Sequence, residues 1–268
     1  MSPWLDTCRA AAADVVAVLA ALPTRLEREP VLRAGEGGDD TTAVDAAAEQ
    51  AVVARLEALH ASGVDFTLVS EELGERAYSD GGPWRVVVDP IDGSNNAKRG
   101  IPFFSLSIAV ADGPTLADVV FGYVYDLGTG EEWTATRGGG AFLDGARLGA
   151  VRPKDEIEIL SFEATTTAFV ADRVAGMVGL AERLRVMGSL ALSLCHLAAG
   201  RVDAVCSLKP ARSVDIAAAA LLVRECGLAI ELFDDPPFAA GPLDLGARSR
   251  VAAAGTPELC ERLAAALR

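Results

Sequence analysis

The chain has 268 residues, 51% of them hydrophobic, with a formal net charge of −14 at pH 7. That suffices for a buried core in one large domain or two small, tightly joined ones; the acidic balance argues against a nucleic-acid backbone or an anionic membrane as partner, and no apolar run approaches the roughly eighteen residues of a membrane span. Five scattered cysteines without a CxxC pair read as reduced thiols, which makes the cytoplasm the default compartment, while His60 and His196 alone leave little material for a histidine zinc site or a Ser-His-Asp triad.

Residues 1 to about 22 read as an amphipathic helix, not a signal peptide, because Asp6 and Asp14 interrupt it and no basic head precedes it. After the loop "REPVLRAGEGGDD", residues 41 to 62 read as a second helix. Val44, Ala48, Val52, Leu56 and Leu59 recur at helical spacing there, and Gly63 follows as a stop. "DFTLVSEELGE" predicts a short strand ending in acids. "WRVVVDP" predicts a more buried strand, ended by Pro90. "FFSLSIAVADG" alternates Phe104, Leu106, Ile108 and Val110 with smaller residues, the pattern of a half-buried strand. The stretch from "LADVVFGYVYD" to "GGGAFLDGARL" predicts antiparallel strands joined by Gly-rich turns. Beyond residue 150, "SLALSLCHLAAG" reads as helix, "RVDAVCSL" as strand and "SVDIAAAALLVRECG" as helix. A mixed, layered α and β chain follows. Its sheet-rich part covers residues 1–150 and an αβ part covers 151–268.

Acids gather at the ends of these elements: Glu71-Glu72, then Asp89 and Asp92, then Asp215 at a helix start, with Asp45 near an earlier one. Singly each is ordinary, as a solvated bend, a turn piece, an N-cap or a helix-start acid. Together, at one edge of a fold, they would repel each other unless cations intervened. An all-oxygen donor set points to Mg²⁺ or Mn²⁺ in preference to zinc. Asp89 and Asp92 could then face a cation pair, with the Ile91 carbonyl as a further ligand. Gly93 in "DGSNN" lets backbone N–H groups approach an anion, so the set suits a phosphate ester.

"DPIDGSNN" resembles the D-P-(I/L)-D-G-(S/T) signature of the inositol monophosphatase family, Mg²⁺-dependent and Li⁺-sensitive phosphatases. "LVSEELGE", "RGGGAFLDGARL", "GSLALSLCHLAAGRVDA" and "SVDIAAAALLVRECGL" resemble its other segments in order, so the likeness runs from about residue 8 to 260. The resemblance implies an α-β-α-β-α sandwich, usually a homodimer, binding two or three Mg²⁺ ions. It implies that Glu71 binds metal and orients the attacking water. Asp89 would bridge two ions, the Ile91 carbonyl would complete the first, and Asp92 and Asp215 would hold the second. Gly93 and Ser94 would receive phosphate oxygens. The Ser94 hydroxyl, paired with Asp45, would take the place of the family's water-activating threonine.

The chain also departs from the common pattern. Val214 stands where the family usually has tryptophan, and Leu208 replaces the glutamate with which animal-type members grip inositol. Lys209 and Arg212 lie in that stretch, where they read as a solvated loop or as a basic lip for a second phosphate. Gly188 and Ser189 fall where the family lines its sugar pocket, or form a plain helix start. The combination resembles archaeal-type members acting on fructose 1,6-bisphosphate and inositol 1-phosphate. The expected activity is therefore a phosphomonoesterase on small sugar or polyol phosphates. The alternatives are a phosphatase of 3′-phosphoadenosine 5′-phosphate and an inactive, ligand-binding relative.

Overall fold

The computed structural model describes residues 3–151, 154–163 and 166–268. Side-chain alternation sorts its strands into layers. In the strand Trp84–Asp92, Val86 and Val88 join one core and Val87 joins another. The first core lies under the helices Pro3–Ala21 and Ala43–Ala61. Their stripes (Cys8, Ala12, Val15; Val44, Ala48, Val52) meet Leu106, Ile108 and Val110. Each fully buried Val or Leu contributes roughly 1.5–3 kcal/mol there. The second helix starts at Thr42, whose hydroxyl and backbone N–H both donate to Asp45, and Gly63 follows its end with φ +103°.

The large sheet has eight strands. It runs from Ala146–Arg147 through Gly140–Leu143, Glu132–Thr136, Val119–Asp126, Ser105–Ala111, Trp84–Asp92 and Phe66–Ser70 to Gly74–Ala77. Only the pair Phe66–Ser70 and Trp84–Asp92 is parallel. A five-stranded sheet follows in the order Ala181–Arg185, Ile157–Glu163, Ala204–Ser207, Val251–Ala254, Ala229–Leu232. Its alternation also splits: Val205 and Ala253 face inward, while Ala204, Cys206, Ala252 and Ala254 pack under the helix Pro257–Leu267.

Between the sheets lie the helices Leu190–Ala198 and Ser213–Glu225, which are buried nearly all round, as their unbroken apolar runs require. The layering is α-β-α-β-α. The large sheet falls within residues 1–150 and the small one within 151–268, with a single core shared across the central helices. None of the described helices is long and apolar enough to cross a membrane.

Three local expectations change. The connection between the first two long helices contains a turn of helix, Arg25–Arg28, before a hairpin that runs through the loop "REPVLRAGEGGDD", its exposed strand Val31–Ala34 pairing with Asp40–Thr42. The strand Ser105–Ala111 is buried on both faces, because its small residues lie against the central helix layer instead of solvent. Pro90 does not end its strand, which continues to Asp92 through a register shift.

Close packing of the central layer depends on Gly122. A Cβ there would stand 2.6 Å from the Ala218 carbonyl oxygen in the helix Ser213–Glu225. Gly122→Ala is therefore expected to destabilise the fold by about 1–3 kcal/mol. A melting curve unchanged from that of the unsubstituted protein would contradict this close approach.

Candidate active site

In a regular strand, Asp89 and Asp92 would project from opposite faces, since they lie three positions apart and the side-chain period is two. The register shows otherwise. Asp89 pairs with Ser107 and Asp92 with Ser105, so three steps on one strand match two on the other. The extra residue is a bulge centred on Pro90, which has no N–H to lose from the ladder. It turns both carboxylates toward the central layer. Asp89 Oδ1 accepts the Ile91 N–H at 3.0 Å, which holds the turn. Asp92 Oδ2 accepts the Ala191 N–H at 2.7 Å and the Ser189 hydroxyl, fastening the bulge to the N-terminus of the helix Leu190–Ala198.

Two other elements complete the cluster. Glu71 follows the strand Phe66–Ser70, and Asp215 is the third residue of the helix Ser213–Glu225. Asp215 is not the N-cap itself: its Oδ2 accepts the backbone N–H of Arg212 at 2.7 Å. Carboxylate oxygens of Glu71, Asp89 and Asp215 all lie within 4.8 Å of one another. They line a cleft of about 390 Å³ together with Ile91, Asp92, Gly93 and Ser94. Glu72 also lines the cleft and accepts the Thr41 hydroxyl.

Gly93 has φ +96° and caps the helix Ser94–Arg99, and a Cβ on it would lie 3.0 Å from the Gly188 carbonyl oxygen. Gly188 is likewise left-handed, with φ +93°, and its N–H donates to Glu163 Oε2 at 2.8 Å. Ser189 is spent on Asp92 and on capping Leu192. The Ser94 hydroxyl does not pair with Asp45. It donates to the Ile91 carbonyl at 3.0 Å, and Thr42 takes Asp45 Oδ2. Asp45 Oδ1 is buried with no partner.

The expected basic lip also changes. Lys209 remains at the rim, 41% exposed and 3.2 Å from Asp39. Arg212 is turned inward, 6% exposed, with Nη2 2.6 Å from Glu71 Oε1 and 3.1 Å from Asp215 Oδ1. Three carboxylates within 4 Å, those of Glu71, Asp215 and Asp39, outweigh solvent for a side chain three residues from one of them.

Even with that cation the cluster is under electrostatic stress. Burial, with Glu71 and Asp92 beside it, holds Asp89 well above the usual carboxylate range. Burial pushes Asp92 up to about 7 despite its two hydrogen bonds. Glu71 rises to about 8, from burial and from Asp215 and Glu72, with Arg212 opposing. Crowded, buried oxygen ligands without histidine or cysteine fit hard divalent ions. A second group that includes a histidine, Asp126, Glu131 and His196, also brings ligand atoms within 4.8 Å, but Arg201 holds both oxygens of Glu131 at 2.7 and 2.5 Å.

Among the lining residues that sequence reasoning missed are Lys98 and Glu163. Glu163 carried the same signal as Glu71, an acid at the end of an apolar strand. Lys98 carried the helical spacing from Ser94, one turn on.

The comparisons agree over the whole chain. The model of the inositol monophosphatase family matches residues 4–268. A fructose-1,6-bisphosphatase/inositol-1-monophosphatase of Methanothermobacter thermautotrophicus is 34% identical over 243 residues, 87% of this chain and 85% of that one. One from Archaeoglobus fulgidus is 32% identical over 96% of both chains. The Nus factor SuhB of Haemophilus influenzae is 34% identical over 87% of this chain and 86% of its own. A solved inositol monophosphatase–fructose 1,6-bisphosphatase superposes with a TM-score of 0.84 at 25% identity, covering 98% of this chain and 99% of that one. The five-layer fold, the strand-end acids and these relatives lead to one assignment: the chain belongs to the inositol monophosphatase family.

Proposed function

We propose that the protein is a Mg²⁺-dependent phosphomonoesterase acting on small sugar or polyol phosphates, with fructose 1,6-bisphosphate and inositol 1-phosphate as leading candidates. The observation that carries this is the convergence of Glu71, Asp89 and Asp215 in a cleft that also contains Asp92 and the left-handed Gly93. Glu71, Asp89, Asp92, Asp215 and the Ile91 carbonyl would hold the ions, two or three in number, with Mn²⁺ as a substitute. Divalent ions there would lower the pKa of a bound water and neutralise the ester and its leaving oxygen. The rest falls to the chain. The first N–H groups after Gly93 are free of helical acceptors and receive phosphate oxygens. The Ser94 hydroxyl, with its proton on Ile91, keeps a lone pair with which to orient the attacking water. Glu71 takes part in the same orientation. Gly188 and Ser189 shape the sugar side, Ser189 by fixing Asp92.

A second phosphate would meet Lys98 and Lys209, both at the cleft. Among the described residues Lys98 has no carboxylate within 4 Å and Lys209 has only the exposed Asp39. That supports a bisphosphate; it serves 3′-phosphoadenosine 5′-phosphate equally, so turnover must separate the two. The net charge of −14 favours a small-molecule substrate over nucleic acid. A cytoplasmic homodimer belongs to the same proposal. The exposed Val178, Val186 and Met187, flanking the edge strand Ala181–Arg185, offer apolar surface to a second copy.

Three outcomes follow. Asp89→Asn should lower Mg²⁺-dependent phosphate release by at least about 100-fold, as loss of transition-state charge stabilisation does. Residual activity near that of the unsubstituted enzyme would sink the assignment. Joint replacement of Lys98 and Lys209 by alanine should raise KM for fructose 1,6-bisphosphate about tenfold, the effect of losing about 1.4 kcal/mol of binding. Inositol 1-phosphate should hardly respond, and equal effects on both would remove the second-phosphate role. The third concerns pH. Carboxylates raised in the folded state stabilise it below their unfolded pKa and lose that contribution as pH rises through the folded value. With Glu71 near 8 and Asp92 near 7, the metal-free protein should melt lower at pH 8 than at pH 5. Added Mg²⁺ should reduce that decline, and a chelator titration at each pH measures it.

A further inference from the structure

Arg212 has no place among the ion-holding or phosphate-holding groups, yet the whole side chain is built into the cluster. Its Nη2 lies 2.6 Å from Glu71 Oε1 and 3.1 Å from Asp215 Oδ1. Its Nε lies 3.4 Å from Asp215 Oδ2, and its own backbone N–H donates to that oxygen at 2.7 Å. Nη1 donates to the Gly37 carbonyl at 3.3 Å and stands 3.6 Å from Asp39. All three guanidinium nitrogens are thus engaged, and the side chain is only 6% exposed. Gly37 is shaped to it, for a Cβ there would come within 2.5 Å of Nη1. By contrast, no guanidinium nitrogen comes within 4 Å of Asp89 among the ion pairs of the described residues.

We infer that Arg212 is a built-in counter-cation of the carboxylate cluster. It holds Glu71 and Asp215 in place in the metal-free protein, and it competes with the divalent ion that those two side chains would bind. Both oxygens of Asp215 and one of Glu71 face the fork, so an ion can use them only by sharing or displacing those hydrogen bonds. Guanidinium does this better than ammonium would, because a planar fork meets two carboxylates at once and is never deprotonated. The consequence is a site that stays folded without metal and takes it up with reduced affinity. Divalent affinity is then set partly by a residue that is not a ligand. Arg212 acts here as a positioning residue, and the inference rests on the metal reading given above.

Calorimetric titration of the whole protein with MnCl₂, and melting in EDTA, separate the possibilities. Arg212→Gln should lower the metal-free melting temperature by roughly 3–6 °C, the effect of one or two lost buried interactions in a chain of this size. The same variant should bind Mn²⁺ about tenfold more tightly, since the competing cation is gone. Its melting temperature should also rise further on adding Mn²⁺. Arg212→Lys keeps the charge without the fork and should fall between, and it carries the comparison if the glutamine variant does not fold in EDTA. An unchanged metal-free melting temperature overturns the counter-cation. Unchanged or weaker Mn²⁺ binding in a folded variant overturns the competition and leaves Arg212 a packing residue. Failure of the unsubstituted protein to bind Mn²⁺ overturns the metal reading and the competition with it, and is recognised because no substitution is involved.

Discussion

One backbone irregularity governs the site: the extra residue that Pro90 introduces opposite Ser105 and Ser107. Without it, Asp89 and Asp92 would lie on opposite faces of the large sheet, one of them inside the core under the first two helices. Such a buried, unpartnered carboxylate costs several kcal/mol or protonates instead. The bulge turns both acids inward at the cost of one ladder step. Proline suits that step because it has no donor to leave unsatisfied. Three valines before the bulge hold the strand in register, since each belongs to a core that a one-residue slip would empty.

The central helix layer converts this edge into a site. Asp215 reaches the cluster because its helix begins at the margin of the large sheet and is buried along its length, so its first turn has a fixed position. The second central helix does the same for Asp92, through Ser189 and the Ala191 N–H. The close approach of Gly122 to the Ala218 carbonyl sets the distance between sheet and helix at which these contacts form. Acids from three elements then meet because packing brings those elements together. Their mutual repulsion is offset by Arg212 and by burial of the surrounding apolar residues.

Much of this was readable from residue order. The five-layer fold and the helices 43–61, 190–198 and 213–225 followed from periodicity and resemblance, and Asp89, Asp92 and Glu71 were visible as acids where strands stop. What escaped were features decided by tertiary distance. The inward turn of Arg212 depends on Glu71, more than a hundred residues away, and no local pattern encodes it. The Ser94 hydroxyl donates to the Ile91 carbonyl and not to Asp45, of which Thr42 takes one oxygen while the other has no partner. The strand Ser105–Ala111 looked half-buried because its small side chains mimic a solvated face. They are small because a helix layer lies against them.

The hairpin before the second helix joins these observations. Its residue Gly37 donates to the Glu71 carbonyl at 2.8 Å and accepts from Arg212 and, at 2.5 Å, from Arg248. A strand-end acid, a helix-start arginine and an exposed hairpin therefore meet at the backbone of a single residue. Any side chain at Gly37 would collide with both Glu71 and Arg212, whose nearest atoms lie 3.0 and 2.5 Å from an added Cβ. The hairpin is exposed along Val31–Ala34, so little core burial holds it, and its position depends on these polar contacts. The acid cluster and the hairpin therefore share a partner: a change in where the Arg212 guanidinium sits alters both the charge around Glu71 and one of the three hydrogen bonds that hold the Gly37 backbone.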